Sequence, residues 1–212
     1  MIETKEIFDV NNAIQITSAR PEFKDAGALN YIAIGNLCHV MVGSDNQGVI
    51  EHYMQKLYQM RKNRFSYEHT LAAMIDGQVA GLITCMPYRE LEKALVPTVV
   101  EIIALKRIFV VPQLMIYYKS IFSLINLKEA EEDEYHVSML SVSSDFQRRG
   151  VGQTLLKAAE NIAREKGFDK ISLTVNQYND KANALYEKLG YEKVGETTVA
   201  RETLNKMRKY LN

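Results

Sequence analysis

Between Tyr135 and Val175 the chain reads as strand, glycine turn, amphipathic helix and strand, and no other stretch constrains the fold as much. Tyr135 to Val142 reads as a strand, with Val137 to Val142 an extended apolar stretch. From Val151 to about Lys166, helical spacing gathers Val151, Leu155, Ala158, Ala159 and Ile162 on one face, and Lys166-Gly167 supplies a cation and a left-handed cap residue. Ile171 to Val175 is a second apolar run, and a strand reached through a helix crossover lies parallel to the first. The junction itself, Gln147-Arg148-Arg149-Gly150-Val151-Gly152, has glycines that let backbone approach a ligand. It also opens a helix, whose unpaired N–H groups and positive dipole end suit a phosphate. Taken alone, the same six residues could be only a tight connection.

The rest of the chain reads as shorter, mostly antiparallel pieces. Ala13 to Arg20 alternates as a strand, with Ile14, Ile16 and Ser18 on one side, and Pro21-Glu22 reads as the first turn of a helix. A second helix spans about Gln47 to Arg61, with Ile50, Tyr53, Met54, Leu57 and Met60 at helical spacing. His69–Ile75 and Val79–Pro87 flank Asp76-Gly77-Gln78, a hairpin signal. Tyr88 to Glu134 is a helix-prone insertion, carrying Phe109, Met115, Ile116, Tyr117, Tyr118, Ile121 and Phe122, which Pro97 and Pro112 should divide into two or three helices. It ends in Glu129, Glu131, Glu132, Asp133 and Glu134, read as a solvated loop that could also draw a cationic amine toward the next strand. Asn179 can cap a short helix closed by Gly190, and Tyr191 to Leu211 reads as two strands connected near Arg201 to Leu204.

At 212 residues, one domain over 1–212 with its helical insertion at about 88–134 is the expectation. Acidic and basic residues number 26 each, so no net field favours nucleic acid or anionic lipid as a partner. The first six residues carry no signal-peptide core, and charged residues interrupt each long apolar run, so neither export nor a membrane span is expected. Cys38 and Cys85 stand apart among apolar neighbours and read as buried free thiols of a cytoplasmic protein, and four scattered histidines resemble no metal site.

The glycine turn, followed after a helix and a strand by Asn179-x-x-Ala182-x-x-Leu185-Tyr186-Glu187-Lys188-Leu189-Gly190-Tyr191, closely resembles the GNAT superfamily of acyl-CoA-dependent N-acyltransferases. The likeness is concentrated in Tyr135 to Gly195. It implies an α+β fold: a mixed, mostly antiparallel sheet with two splayed parallel central strands and helices on both faces. It further implies acetyl-CoA as acyl donor, with pantetheine lying between the splayed strands against the backbone of Leu140, Ser141 and Val142. The pyrophosphate would meet N–H groups of Arg148, Arg149, Gly150, Val151 and Gly152, with the side chains of Gln147, Arg149 and Gln153 or Thr154 nearby, and Asn179 would face the pantetheine from the other side.

Amine attack on a thioester needs a proton acceptor, a donor to the oxyanion and assistance to the departing thiolate. By resemblance, Tyr186 points its phenol at the sulfur and the Leu140 N–H faces the oxyanion. For the base, His136 is preferred, because period-two alternation puts it on one face with Ser138 and an imidazole accepts protons near neutrality. A histidine merely hydrogen-bonded at a strand edge fits the same letters, and Glu134 or Ser138, the latter through a water, are alternatives. The second parallel strand offers Thr174 rather than a carboxylate. With no cysteine near the motifs, direct transfer to a small-molecule or protein amine in a ternary complex is expected, as against a noncatalytic acyl-CoA-binding module. A dinucleotide-binding enzyme is disfavoured, since the full glycine fingerprint is missing. The insertion and the helices around Ala28 to Arg61 should line the acceptor site, and the insertion's aromatics, Tyr117 and Tyr118 among them, could equally form a homodimer contact.

Overall fold

The computed structural model describes residues 7–8, 14–106 and 110–211. Phe109 lies outside them, as does the opening hexapeptide, and the side chains of Met115, Tyr117 and Ile121 are likewise outside the description. Eight strands form one sheet: β1 (Ile7–Phe8), β2 (Gln15–Ser18), β3 (Thr70–Ile75), β4 (Gln78–Pro87), β5 (Tyr135–Val142), β6 (Lys170–Asn176), β7 (Glu192–Val199) and β8 (Glu202–Tyr210). Their order is β1-β2-β3-β4-β5-β6-β8-β7, and every neighbouring pair is antiparallel except β5–β6. The mixed, mostly antiparallel sheet with a central parallel pair is thus as expected. Asp76 and Gly77 turn the β3–β4 hairpin at φ 50° and 76°, the left-handed region that two-residue turns require.

Among the described residues, seven α-helices accompany the sheet: α1 (Ala26–Ile34), α2 (Leu37–Val42), α3 (Gln47–Gln59), α4 (Tyr88–Lys106), α5 (Val110–Ile125), α6 (Val151–Glu165) and α7 (Asp180–Lys188). Helix α6 lies on one face, where Val151, Leu155, Ala158, Ala159 and Ile162, the expected apolar stripe, join Tyr135, Val137, Ile171 and Leu173 in the main core. Burying each large aliphatic there stabilises the fold by roughly 1.5–3 kcal/mol. On the other face, Ala26 and Leu29 of α1 and Tyr58 of α3 cover Ala72 and Leu82. A Cβ at Gly27 would stand 2.3 Å from the Glu51 carbonyl oxygen, so α1 packs this closely on α3 only as glycine. Asn46 caps α3, its side chain accepting from the Val49 N–H at 3.1 Å.

Three local expectations need correction. Pro21-Glu22 does not start a helix: residues 21–25 form turns and α1 begins at Ala26. Pro97 does not divide the insertion but sits inside α4, whereas Pro112 falls in the first turn of α5, where a missing N–H costs nothing. The acidic run is not uniformly solvated, since Glu129 and Glu134 are buried. Glu134 is ion-paired with Arg208, its burial repaid by that partner. Among the described residues, no helix is long and apolar enough to cross a membrane.

Candidate active site

Parallel pairing of β5 with β6 holds only from Tyr135–Val137 against Ile171–Leu173. Beyond it, Ser138–Val142 and Thr174–Asn176 diverge and line a cleft of about 750 Å³. Splaying leaves the two inner strand edges without each other as partners, which is where an extended ligand with amide groups can pair. On β5 the splay coincides with a bulge. Thr84 pairs with Met139 and Cys85 with Val137, so Ser138 is the extra residue. The bulge inverts the alternation: Val137 packs in the core beneath α6, Met139 in the cluster beneath α3.

The glycine turn closes one end of the cleft, which Gln147, Arg148, Gly150, Val151, Gly152 and Gln153 line. Arg148 and Gly150 hold φ of 62° and 84°, and Gly150 is the N-cap of α6 with no side chain capping it. The helix therefore presents its first N–H groups toward the cleft, where an anion is stabilised by both hydrogen bonds and dipole. Two expected contributors have partners within the protein, one of them the cleft-lining Phe146. The Arg149 guanidinium stacks over Phe146 at 5.4 Å, and the Thr154 hydroxyl donates back to the Gly150 carbonyl at 3.1 Å. Neither lines the cleft.

Across the opening, Asn179 caps α7, its side-chain oxygen accepting from the Ala182 N–H at 3.2 Å. Asn179 and Tyr186 both line the cleft. Tyr186 is buried and burial pushes its phenol up to about 12, so it stays protonated at any physiological pH. Cys38 and Cys85 are buried free thiols, both pushed up to about 12, and neither lines the cleft.

His136 stands apart from this surface. It is fully buried, its Nδ1 is 3.0 Å from the Ser172 hydroxyl, and its Nε2 lies 4.0 Å from Glu129 Oε1, beyond hydrogen-bond reach. Burial pushes its pKa down to about 4, and it does not line the cleft. A base that meets the amine directly needs access that this imidazole lacks. Glu134 is likewise turned away toward Arg208. Ser138 does line the cleft, together with a pair that the sequence reading did not single out: Arg64 Nη2 donates to Glu129 at 2.9 and 3.2 Å and to the Ser138 hydroxyl at 3.2 Å. Arg64 and Glu129 are 65 positions apart in the chain, and no local pattern links them.

The insertion roofs the far half of the cleft. The Ser123 hydroxyl donates to the Thr198 carbonyl and accepts from the Ala200 N–H, both at 3.4 Å, tying the end of α5 to the β7–β8 turn. Residues of α1, α2, α4 and α5 complete the walls.

The family model described as "Acetyltransferase (GNAT) family" matches residues 40–191 of the chain. "N-acetyltransferase family 8 member 3" of Rattus norvegicus is 35% identical over 57 residues, 27% of this chain and only 25% of that protein. The chain thus spans about a quarter of that relative's length in the match. A crystal structure of an acetyltransferase superposes with a TM-score of 0.68 at 21% identity, covering 93% of this chain and 99% of the other. The PaiA N-acetyltransferase of Thermoplasma acidophilum in complex with coenzyme A gives 0.50 at 16%, covering 93% and 98%. At such identities the structural likeness is one of fold.

Proposed function

Because the chain belongs to the GNAT acetyltransferase family, we propose that it transfers an acetyl group from acetyl-CoA to a primary amine by direct attack within a ternary complex. The observation that carries this reading is the splay of β5 from β6, open at one end to the uncapped start of α6 and bordered by Tyr186. Pyrophosphate would sit on the N–H groups from Arg148 to Gly152, and pantetheine would extend along Leu140, Ser141 and Val142 opposite Asn179. A coenzyme A complex of a protein with this fold is in keeping with that assignment.

In the reaction the amine nitrogen forms a bond to the thioester carbon while the carbonyl electrons move to oxygen, toward the Leu140 N–H. Collapse breaks the carbon–sulfur bond, and the thiolate leaves facing the Tyr186 phenol. A thiol titrates near 8.5 and this phenol near 12, so full proton transfer to sulfur is uphill and Tyr186 acts as a hydrogen-bond donor to developing charge. The amine proton would pass to the Glu129 carboxylate, directly or relayed by the Ser138 hydroxyl, both of which border the cleft, rather than to the enclosed His136. Direct transfer is in keeping with both thiols lying off the cleft.

The test is acetyl-CoA binding by thermal shift together with thiol release in the presence of amines. Tyr186→Phe should lower kcat by about ten-fold or more with little change in acetyl-CoA affinity, since the hydroxyl acts mainly in the transition state. No binding of acetyl-CoA would overturn the reading. Binding without thiol release from any amine would leave a noncatalytic acyl-CoA module in its place.

A further inference from the structure

Resting on that reading, we infer that the acceptor is a monoamine carried on an apolar body, an alkyl or arylalkyl amine, rather than a polyamine, an amino sugar or a lysine-rich peptide. The half of the cleft beyond Tyr186 is walled by α1, α2, α4 and the end of α5. Its lining there is mostly aliphatic or aromatic, Ile34, Met41, Phe65, Val99, Ile102 and Leu124 among it; the polar exceptions are Thr98, Ser138, Arg64 and Glu129, and a second carboxylate, Glu202, lines the cleft where it accepts from Asn176. Arg64 and Glu129 face each other at 2.9 Å, so the floor is neutral as a whole. Over the whole cleft, the charged lining sets Arg64, Arg148 and Lys181 against Glu129 and Glu202, so there is no excess of negative charge. Each additional cation of a polyamine or basic peptide would add to a lining already balanced by its own cations, and burying a charge without a spare counter-charge is strongly unfavourable.

The rim carries the same chemistry. Ile32, Ile103 and Ile125 line the cleft and are also 54%, 44% and 44% exposed. Val96 and Val100 extend the apolar surface along α4, being 69% and 58% exposed. An apolar substrate body would cover this rim, whereas a hydrated polar one would gain nothing from it.

Butylamine, hexylamine and octylamine share nearly one pKa, so at fixed pH their neutral fractions match and chain length alone varies. At saturating acetyl-CoA, kcat/KM from thiol release should rise about three-fold to four-fold per methylene, the transfer gain of a buried CH₂. Spermidine and a lysine-containing peptide should fall below butylamine. Ile103→Ser, at a half-exposed position that does not threaten folding, should lower the octylamine value by roughly ten-fold and the butylamine value by less than about two-fold. A series flat in chain length, or spermidine or the peptide exceeding octylamine, overturns the inference while acetyl transfer stands. Faster reaction of butylamine with hexanoyl-CoA than with acetyl-CoA, over a flat amine series, would overturn it by assigning the apolar space to the acyl chain. Failure to bind acetyl-CoA at all would remove the underlying reading instead.

Discussion

His136 illustrates how one side chain's environment outweighs its chemistry. The imidazole is sealed between Ser172, Tyr88 and the Arg64–Glu129 pair, and burial holds it neutral to about pH 4. In the unfolded chain it binds a proton below about 6.5. Between those values the unfolded state holds more protons, so this residue's contribution to stability is present above 6.5 and is lost as pH falls toward 4. The gap corresponds to on the order of 3 kcal/mol. In urea unfolding, the fall in stability between pH 6.5 and 4.5 should be clearly smaller for His136→Asn than for the parent, and an equal fall would show that His136 does not stay neutral in the fold. The residue types on β5 were legible in the sequence, but which of them face the cleft was not. The bulge at Ser138 and the closure of Arg64 onto Glu129 depend on a partner strand and on a contact across 65 positions. An acidic run read by composition gave no hint that two of its members are buried.

At the scale of elements, the agreement is closest where a local cap or turn acts on its own. Asp76-Gly77 turned the hairpin, Asn179 capped α7, and the α6 stripe was buried as its spacing required. Gly150 is the element-level feature on which the proposed site most depends, since its φ of 84° aims the start of α6 into the cleft. Gly150→Ala should cost roughly 1–2 kcal/mol in stability, the penalty for an L residue in left-handed backbone, and should weaken acetyl-CoA binding more than Asn46→Ala. That second variant removes the cap of α3, far from the turn in the chain, at about 1 kcal/mol. Calorimetric titration of both with acetyl-CoA checks this, and equal affinities would mean that the turn's geometry does not serve the ligand. Proline was the poorer guide. Pro97 was accommodated within α4 because tertiary packing of Leu91, Ala94 and Thr98 outweighs one lost hydrogen bond.

For the whole molecule, the sheet runs from Ile7 to Tyr210 and brings N- and C-terminal segments into one core, with Ile14 and Leu211 in the same cluster. Leu155→Ala at its centre should lower stability by roughly 2–5 kcal/mol in a single cooperative transition, followed by circular dichroism in urea. Two separated transitions would sink the expectation of one domain. The parallel pair and its crossover, the anion-ready turn, the hairpin and the tyrosine-bearing helix are all legible from the residues alone, because each is specified by neighbours within a few residues or by helical and strand periods. The extent of the splay, the burial of His136, the Arg64–Glu129 floor and the apolar walls made by the insertion emerge only on folding. Those arise where segments distant in the chain meet, and their energies lie in desolvation and packing that no local pattern records.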